Sequence, residues 1–162
     1  DLSPSLLELE VTESVFLGRA ADTVERALRT LAREGVTIAL DDFGTGYASL
    51  THLQQFPVDV LKIDRSFVSR LDGTNSSDFA IVHGIIDIAQ RMNIRTVAEG
   101  VENEAQLGRL CELGCDIAQG FLFGGALGSS RIGAFVRGWP QARQAYRFHN
   151  TDPERPRSSR QG

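Results

Sequence analysis

The sequence lacks the features that mark membrane and secreted proteins. No apolar run approaches the roughly 20 residues of a membrane-spanning helix, and no signal peptide is visible. Cysteine is scarce, with only Cys111 and Cys115 among 162 residues and no histidine close to them. We interpret this pair as reduced thiols in the core of a cytosolic protein, with a metal or redox pair as the alternative. Because the chain starts at Asp1 without a methionine, we expect a piece of a longer protein.

Positive charge is also scarce over most of the chain. The formal net charge is −4, but from Arg137 onward six arginines stand against Asp152 and Glu154, which gives +4 there and leaves −8 for the first 136 residues. An acidic body argues against a protein that binds nucleic acid polymers. The basic segment 139–162 predicts a disordered tail, and the length predicts one domain over residues 1–138.

What the sequence does contain is a series of short apolar runs separated by helical patterns. The runs predict parallel strands buried on both faces, at 6–10, 36–42, 58–64, 94–100 and 115–120. One helix is predicted from Val24, Ala27, Leu28 and Leu31 with a stop at Gly35, a second after a cap at Ser76 or Ser77, and a third from Asn103 to Gly114. Shorter helices are predicted over 46–55 and 130–138. This alternation implies a βα architecture.

Polar side chains stand at the carboxyl end of every predicted strand. They are Glu10, Asp41 with Asp42, Lys62 with Asp64, Glu99, and Gln119. In (β/α) barrels the active site lies at that face. Two adjacent carboxylates repel each other, and a divalent cation such as Mg²⁺, Mn²⁺ or Ca²⁺ is the usual remedy for an all-oxygen site. The plainer alternative is a turn, because Asp and Gly favour turns.

Lys62 is the only lysine among 17 basic residues. Its place at a strand end, in line with the carboxylates, makes chance a poor explanation. A lysine can change its pKa when buried, unlike arginine, and can orient a water, stabilise a phosphate charge or assist proton transfer. The sequence therefore predicts a functional role for Lys62.

These motifs together resemble the EAL domain family, the phosphodiesterases of cyclic di-GMP. The segments that carry the resemblance are LELEVTES, LDDFGTGYASL, LKIDRSFV, TVAEGVE and AQGFLF, within about residues 1–138. The resemblance implies an α/β fold, a TIM-type (β/α) barrel of the EAL kind that is incomplete here because its N-terminal strands are absent. It also implies a two-metal site for Mg²⁺ or Mn²⁺, and hydrolysis of cyclic di-GMP to linear pGpG.

The resemblance further implies roles for individual residues. The implied metal ligands are Glu10, Asp41, which bridges both metals, and Asp42. The implied catalytic group comprises Lys62, Glu99, Gln119 and Glu13, the last of which steadies the DDFGTGY loop. The implied substrate-side residues are Asp64, Glu102 and Gly120.

Parts of the family pattern are missing. The sequence contains no Glu-Ala-Leu motif, whose glutamate is a metal ligand in the family, and the asparagine ligand of the next strand is absent too. The chain opens in what resembles the approach to the third strand. We therefore expect weak or no catalysis by this chain alone, and open sheet edges that favour pairing. Gly125 and Ala126 replace a common basic-proline pair, which affects substrate contacts in that loop.

Two other functions remain open at this stage. One is a non-catalytic cyclic di-GMP receptor or regulatory module, and the other is a different metal-dependent barrel enzyme, such as an enolase-like one. The resemblance also implies a homodimer, an upstream sensory or GGDEF-type domain, and a cytoplasmic location set by the substrate, with membrane tethering of the longer protein as an option.

Overall fold

The computed structural model describes residues 2–16, 21–46, 50–71 and 76–143. Five parallel strands form one sheet in chain order. They are β1 (Glu8–Thr12), β2 (Thr37–Phe43), β3 (Val60–Ile63), β4 (Arg95–Glu99) and β5 (Ile117–Gln119). Because neighbouring strands in sequence are neighbours in the sheet and all run the same way, their carboxyl ends meet at one edge. The five predicted strands and the βα architecture are confirmed.

Helices connect the strands. They are α1 (Ala21–Arg33), α2 (Leu50–Gln55), α3 (Arg65–Val68), α4 (Ser76–Arg91), α5 (Glu104–Leu113) and α6 (Ser129–Arg143), with short 3-10 helices at Pro4–Leu6 and Glu13–Phe16. The caps of α5 are as predicted: Asn103 and Gln106 form a capping box, and Gly114 ends the helix in the left-handed region at φ 76°. Among the described residues no helix is both long and apolar enough to cross a membrane.

Some helix predictions differ from the structure. Ser76 and Ser77 lie in the first turn of α4 rather than before it, and the position preceding Ser76 is outside the described residues. On α1, Leu28 is buried, but Ala27 and Leu31 are exposed. The reason is that α1 contacts β2 and the 3-10 helix after β1, so only part of its apolar stripe is covered.

The C-terminal boundary also differs. Helix α6 continues past position 138 to Arg143, so the first residues of the predicted tail are helical. The remainder, 144–162, lies outside the described residues, and its disorder stays a prediction.

The two faces of the sheet carry different side chains. Ile38, Leu40, Leu61 and Ile63 are fully buried and belong to the large core between sheet and helices. The alternating positions Ala39, Val60 and Val97 form a small separate cluster. Since successive strand residues point to opposite faces, this cluster marks the face that lies away from the helices.

Burial on both faces was predicted for every strand, and this is wrong for the two outer ones. β1 is exposed along most of its length, including Leu9, and β5 exposes Ile117. Within the described residues each of these strands has a neighbour on one side only. An apolar strand sequence therefore did not guarantee burial, because burial also needs a second neighbour.

Candidate active site

Lys62 lies at the centre of a group of carboxylates from three other strands. Its Nζ is 2.8 Å from Glu10 Oε1, 2.8 Å from Glu99 Oε1 and 3.1 Å from Asp41 Oδ1. The parallel register explains the meeting, because Glu10 pairs with Ala39 of β2 and Lys62 pairs with Val97 of β4. All four residues therefore occupy the sheet face that carries the small apolar cluster.

The lysine is held as an ammonium ion. Its side chain is only 8% exposed, and this burial alone would lower its pKa. Hydrogen bonds to Glu10, Glu99 and Asp41 outweigh the burial and raise the pKa above its ordinary value. In the described arrangement Lys62 therefore donates hydrogen bonds and balances charge, and it is a poor proton acceptor.

A β-bulge brings both adjacent aspartates to this edge. β2 and β3 pair at Leu40 with Leu61 and then at Phe43 with Ile63, so two residues of β2 face one residue of β3. The extra residue leaves Asp42 at φ 55°, in the left-handed region, with its N–H donating to Asp41 Oδ1 at 3.0 Å. Bulges next to sites redirect side chains in this way. On a regular strand the two carboxylates would point to opposite faces.

Asp64 extends the acidic group to the end of β3. It caps α3 by accepting a hydrogen bond from the Ser66 N–H at 2.9 Å. Hydrogen bonding to Ser66 lowers the pKa of Asp64. In contrast, loss of water contact and the negative charges of Asp41 and Asp64 raise the pKa of Asp42. The pKa values of these two neighbouring carboxyls are thus shifted in opposite directions.

The donor set fits a divalent cation. One oxygen each from Asp41, Asp42 and Glu99 lies within 4.8 Å of the others, a spacing that small side-chain rotations bring to the geometry of Mg²⁺ or Mn²⁺. Glu10 and Asp64 add two more carboxyls, and within the described part of the chain Lys62 is the cation that contacts this group. An acidic excess over a single lysine is the charge balance that a cation site requires.

Glu13 contacts the loop after β2. Its side chain is buried and accepts the Gly44 N–H at 2.9 Å. Gly44 has φ 96°, which favours glycine, and a Cβ placed on Gly46 would collide with the Glu13 carboxylate. The carboxylate thus holds Gly44 by a hydrogen bond and lies close against Gly46 in the turn that follows Asp42.

The other predicted residues lie at the same edge but outside the lysine cluster. Gln119 is exposed and pairs with Glu99 in the β4–β5 register. Gly120 packs so closely on the Val101 backbone that a Cβ would not fit. Glu102 faces Arg65, with Oε1 3.6 Å from Nη2.

Sequence reasoning missed Arg65 and the cavity beside β5. The stem of Arg65 lies where a Cβ on Gly100 would be, so the arginine after Asp64 and the glycine after Glu99 fit together. A cavity of about 580 Å³ borders Gln119 and Gly120 and is lined by apolar residues including Phe123 and Trp139. The only sequence signal for this arrangement was the position of Arg65 and Gly100 directly after two predicted site residues.

Known proteins resemble this chain in sequence. The model of the EAL domain matches residues 1–126. MucR of Pseudomonas aeruginosa, a bifunctional diguanylate cyclase/cyclic di-GMP phosphodiesterase, is 47% identical over 135 residues, which cover 83% of this chain and 19% of MucR. The chain thus spans less than a fifth of the length of the curated relatives it matches first.

Solved structures of related proteins have a similar fold. The PaMucR phosphodiesterase in complex with c-di-GMP superimposes with a TM-score of 0.75 at 46% identity, over 81% of this chain and 52% of that one. BlrP1 of Klebsiella pneumoniae, in a manganese/cy-diGMP complex, gives 0.69 at 34% identity, over 75% of this chain and 31% of that one. The predicted α/β fold of the EAL barrel kind is confirmed.

Proposed function

This chain belongs to the EAL domain family, and on that premise we propose that it supplies the cation- and water-binding side of a cyclic di-GMP phosphodiesterase site that yields linear pGpG. The observation that carries the proposal is the convergence of Glu10, Asp41 and Glu99 on Lys62, from four neighbouring strands. A merely structural role would not require four strands to direct like charges to one edge of a sheet.

Glu10, Asp41 and Asp42 would hold the cations, with Glu99 close to them. Bound Mg²⁺ or Mn²⁺ supplies two effects: a lower pKa of a coordinated water and charge stabilisation at the phosphodiester. Carboxyls from β1, β2 and β4 reach the same point, so the protein fixes where these effects act. The family likeness to a manganese complex supports this assignment, and the choice between Mg²⁺ and Mn²⁺ belongs to the proposal.

Lys62 would orient the attacking water or a phosphoryl oxygen. It shares carboxylate oxygens with any cation that binds there, so the ammonium would release one or more of them and donate to the water or phosphate instead. Its contacts with three carboxylate oxygens support this donor role over that of a general base. Gln119, opposite Glu99, would hold the same water or phosphate from the next strand.

The remaining residues would shape the surroundings. Glu13 would keep the loop after Asp42 in place. Asp64, Glu102 and Gly120 would contact the substrate side, where Gly120 lets the backbone approach closely. We extend the proposal to a homodimer, a cytoplasmic location, and an upstream sensory or GGDEF-type domain; the bifunctional nature of MucR supports the last of these.

The proposal is tested by hydrolysis of cyclic di-GMP with Mg²⁺ or Mn²⁺. The chain is assayed beside a form extended upstream by about 90 residues, enough to complete an eight-stranded barrel. We expect pGpG from the extended form, weak or no product from this chain alone, and loss of product in Asp41→Ala. Asp87→Ala serves as the matched control, because Asp87 pairs with Arg91 on the exposed face of α4, away from the site.

Other outcomes would select the alternatives. Binding of cyclic di-GMP without hydrolysis, and unaffected by Asp41→Ala, would establish a receptor instead of an enzyme. No binding at all by the extended form would favour a different metal-dependent barrel enzyme. Equal turnover by the short and extended forms would contradict the expected need for more of the barrel.

A further inference from the structure

Two aspartates at the amino end of the sheet hold the neighbouring strand by its backbone. Asp59, directly before β3, accepts the N–H of Ile38 in β2 at 3.0 Å through Oδ2. Asp116, directly before β5, accepts the N–H of Thr96 in β4 at 2.8 Å and the Thr96 hydroxyl at 3.0 Å. The same contact thus occurs in two separate strand pairs.

Backbone contacts strengthen both links. The Asp59 N–H donates to the Ile38 carbonyl at 2.9 Å, so one residue of β3 binds both polar groups of one residue of β2. The Asp116 N–H donates to Thr96 Oγ1 at 3.1 Å. A one-residue shift of either strand pair would break all of these contacts together, so each aspartate favours the observed register over the one beside it.

The selected register is the one that the site needs. Next to Asp59 the pairing is regular, with Ala39 opposite Val60, and the bulge begins only after Leu40. A parallel strand that slips by one residue turns every side chain to the other face.

We propose that Asp59 and Asp116 are positioning residues of the active site, which fix the registers that place Asp41 beside Lys62 and Glu99 beside Gln119. The expected effect on catalysis rests on the proposed function, but the effect on strand register does not. Asp59 precedes Lys62 by three residues, about 10 Å along a strand, so it acts through the sheet and not on reacting atoms.

Amide hydrogen exchange on the whole chain tests the proposal without substrate. In Asp59→Ala we expect faster exchange at Ile38 and also, by about tenfold or more, at Asp42 and Gly44 in and after the bulge. Asp59→Asn keeps an oxygen that can accept the Ile38 N–H, so exchange at all three amides should return to the slower rate of the unsubstituted chain. Asp87→Ala is the matched control and should change none of them.

Mn²⁺ binding, followed by electron paramagnetic resonance, provides a second readout. We expect Asp59→Ala to weaken Mn²⁺ binding by about tenfold, in the range seen when groups that orient ligands are removed, and Asp59→Asn to recover most of it. Asp116→Ala repeats the test at the second strand pair. Exchange of the Thr96 amide reports on the strand contact, and the kcat for cyclic di-GMP in the extended form reports on the site.

The results separate positioning from stability alone. If Asp59→Ala speeds exchange only at Ile38 and leaves Mn²⁺ affinity unchanged, the proposal is overturned. A variant that does not fold, or an Asn variant that rescues nothing, would also overturn it and leave a purely structural role. If the unsubstituted extended form shows no hydrolysis, the proposed function fails, whereas this inference still stands or falls by the exchange rates.

Discussion

Aspartate is used differently at the two ends of this sheet. At the amino end, Asp59 and Asp116 receive hydrogen bonds from the backbone of a neighbouring strand. At the carboxyl end, Asp41 shares one lysine with Glu10 and Glu99. Backbone donors fix the geometry of a single carboxylate, whereas one ammonium ion brings three carboxylates together. The comparison teaches that a cation site lies where several carboxylates meet around one positive charge.

The same substitution at both ends gives the largest expected difference. Asp41→Asn removes a charged cation ligand, so hydrolysis by the extended form should fall by about a thousandfold, equal to about 4 kcal/mol of transition-state stabilisation. Asp59→Asn keeps its acceptor oxygen and should lower kcat/KM by less than about threefold, equal to about 0.6 kcal/mol. Steady-state kinetics measures both, and similar losses at the two positions would remove the distinction.

Removing the shared lysine should show how much charge it balances. With EDTA present, Lys62→Met should lower the free energy of unfolding by about 2 kcal/mol, less than for a fully buried pair because Glu10 is half exposed. Added Mn²⁺ should stabilise this variant more than the unsubstituted chain. Urea unfolding measures both quantities. Arg91→Met, on the exposed face of α4, is the control. If Lys62→Met leaves the free energy of unfolding unchanged, Lys62 balances little charge.

A smaller effect is expected in the loop after the bulge. Gly46→Ala should cost about 1 kcal/mol of stability, because its methyl group displaces the Glu13 carboxylate that holds this turn. Gly84→Ala is the matched control: a Cβ there meets nothing within 4 Å in α4, so stability should rise by about 0.5–1 kcal/mol. Equal effects in thermal unfolding would show that Glu13 adapts without loss.

The smallest effect should depend on pH. The pKa of Asp42 is raised through desolvation and the charges of Asp41 and Asp64, so its contribution to stability is present below its unfolded pKa and is lost as pH rises through the folded value. At pH 7 with EDTA, Asp42→Asn should therefore stabilise by less than about 1 kcal/mol, since the group is exposed. The gain should vanish at about pH 3, below the ordinary aspartate pKa, and Mn²⁺ should reverse its sign.

The sequence predicted where the candidate site residues lie better than it predicted their surroundings. Polar groups after apolar runs were enough to bring Glu10, Asp41, Lys62 and Glu99 to one edge, because parallel strands place their carboxyl ends together. The prediction that β1 is buried was wrong, because an edge position is a property of the whole sheet and not of one strand's sequence. The sequence also gave no sign of the bulge, which depends on where Leu40 and Phe43 find their partners in β3.

The bulge limits how such a site can arise or be copied. β2 has one residue more than β3 needs between Leu40 and Phe43, so no point substitution on a regular strand would create two adjacent carboxylates aimed at one edge. An insertion is required, together with a residue that tolerates φ 55°. Deleting Asp42 would remove the bulge, because Phe43 would then follow Asp41 as the regular partner of Ile63 and only one carboxylate would remain at this edge. A designer who transplants this site must therefore move a length of chain and not a set of residues.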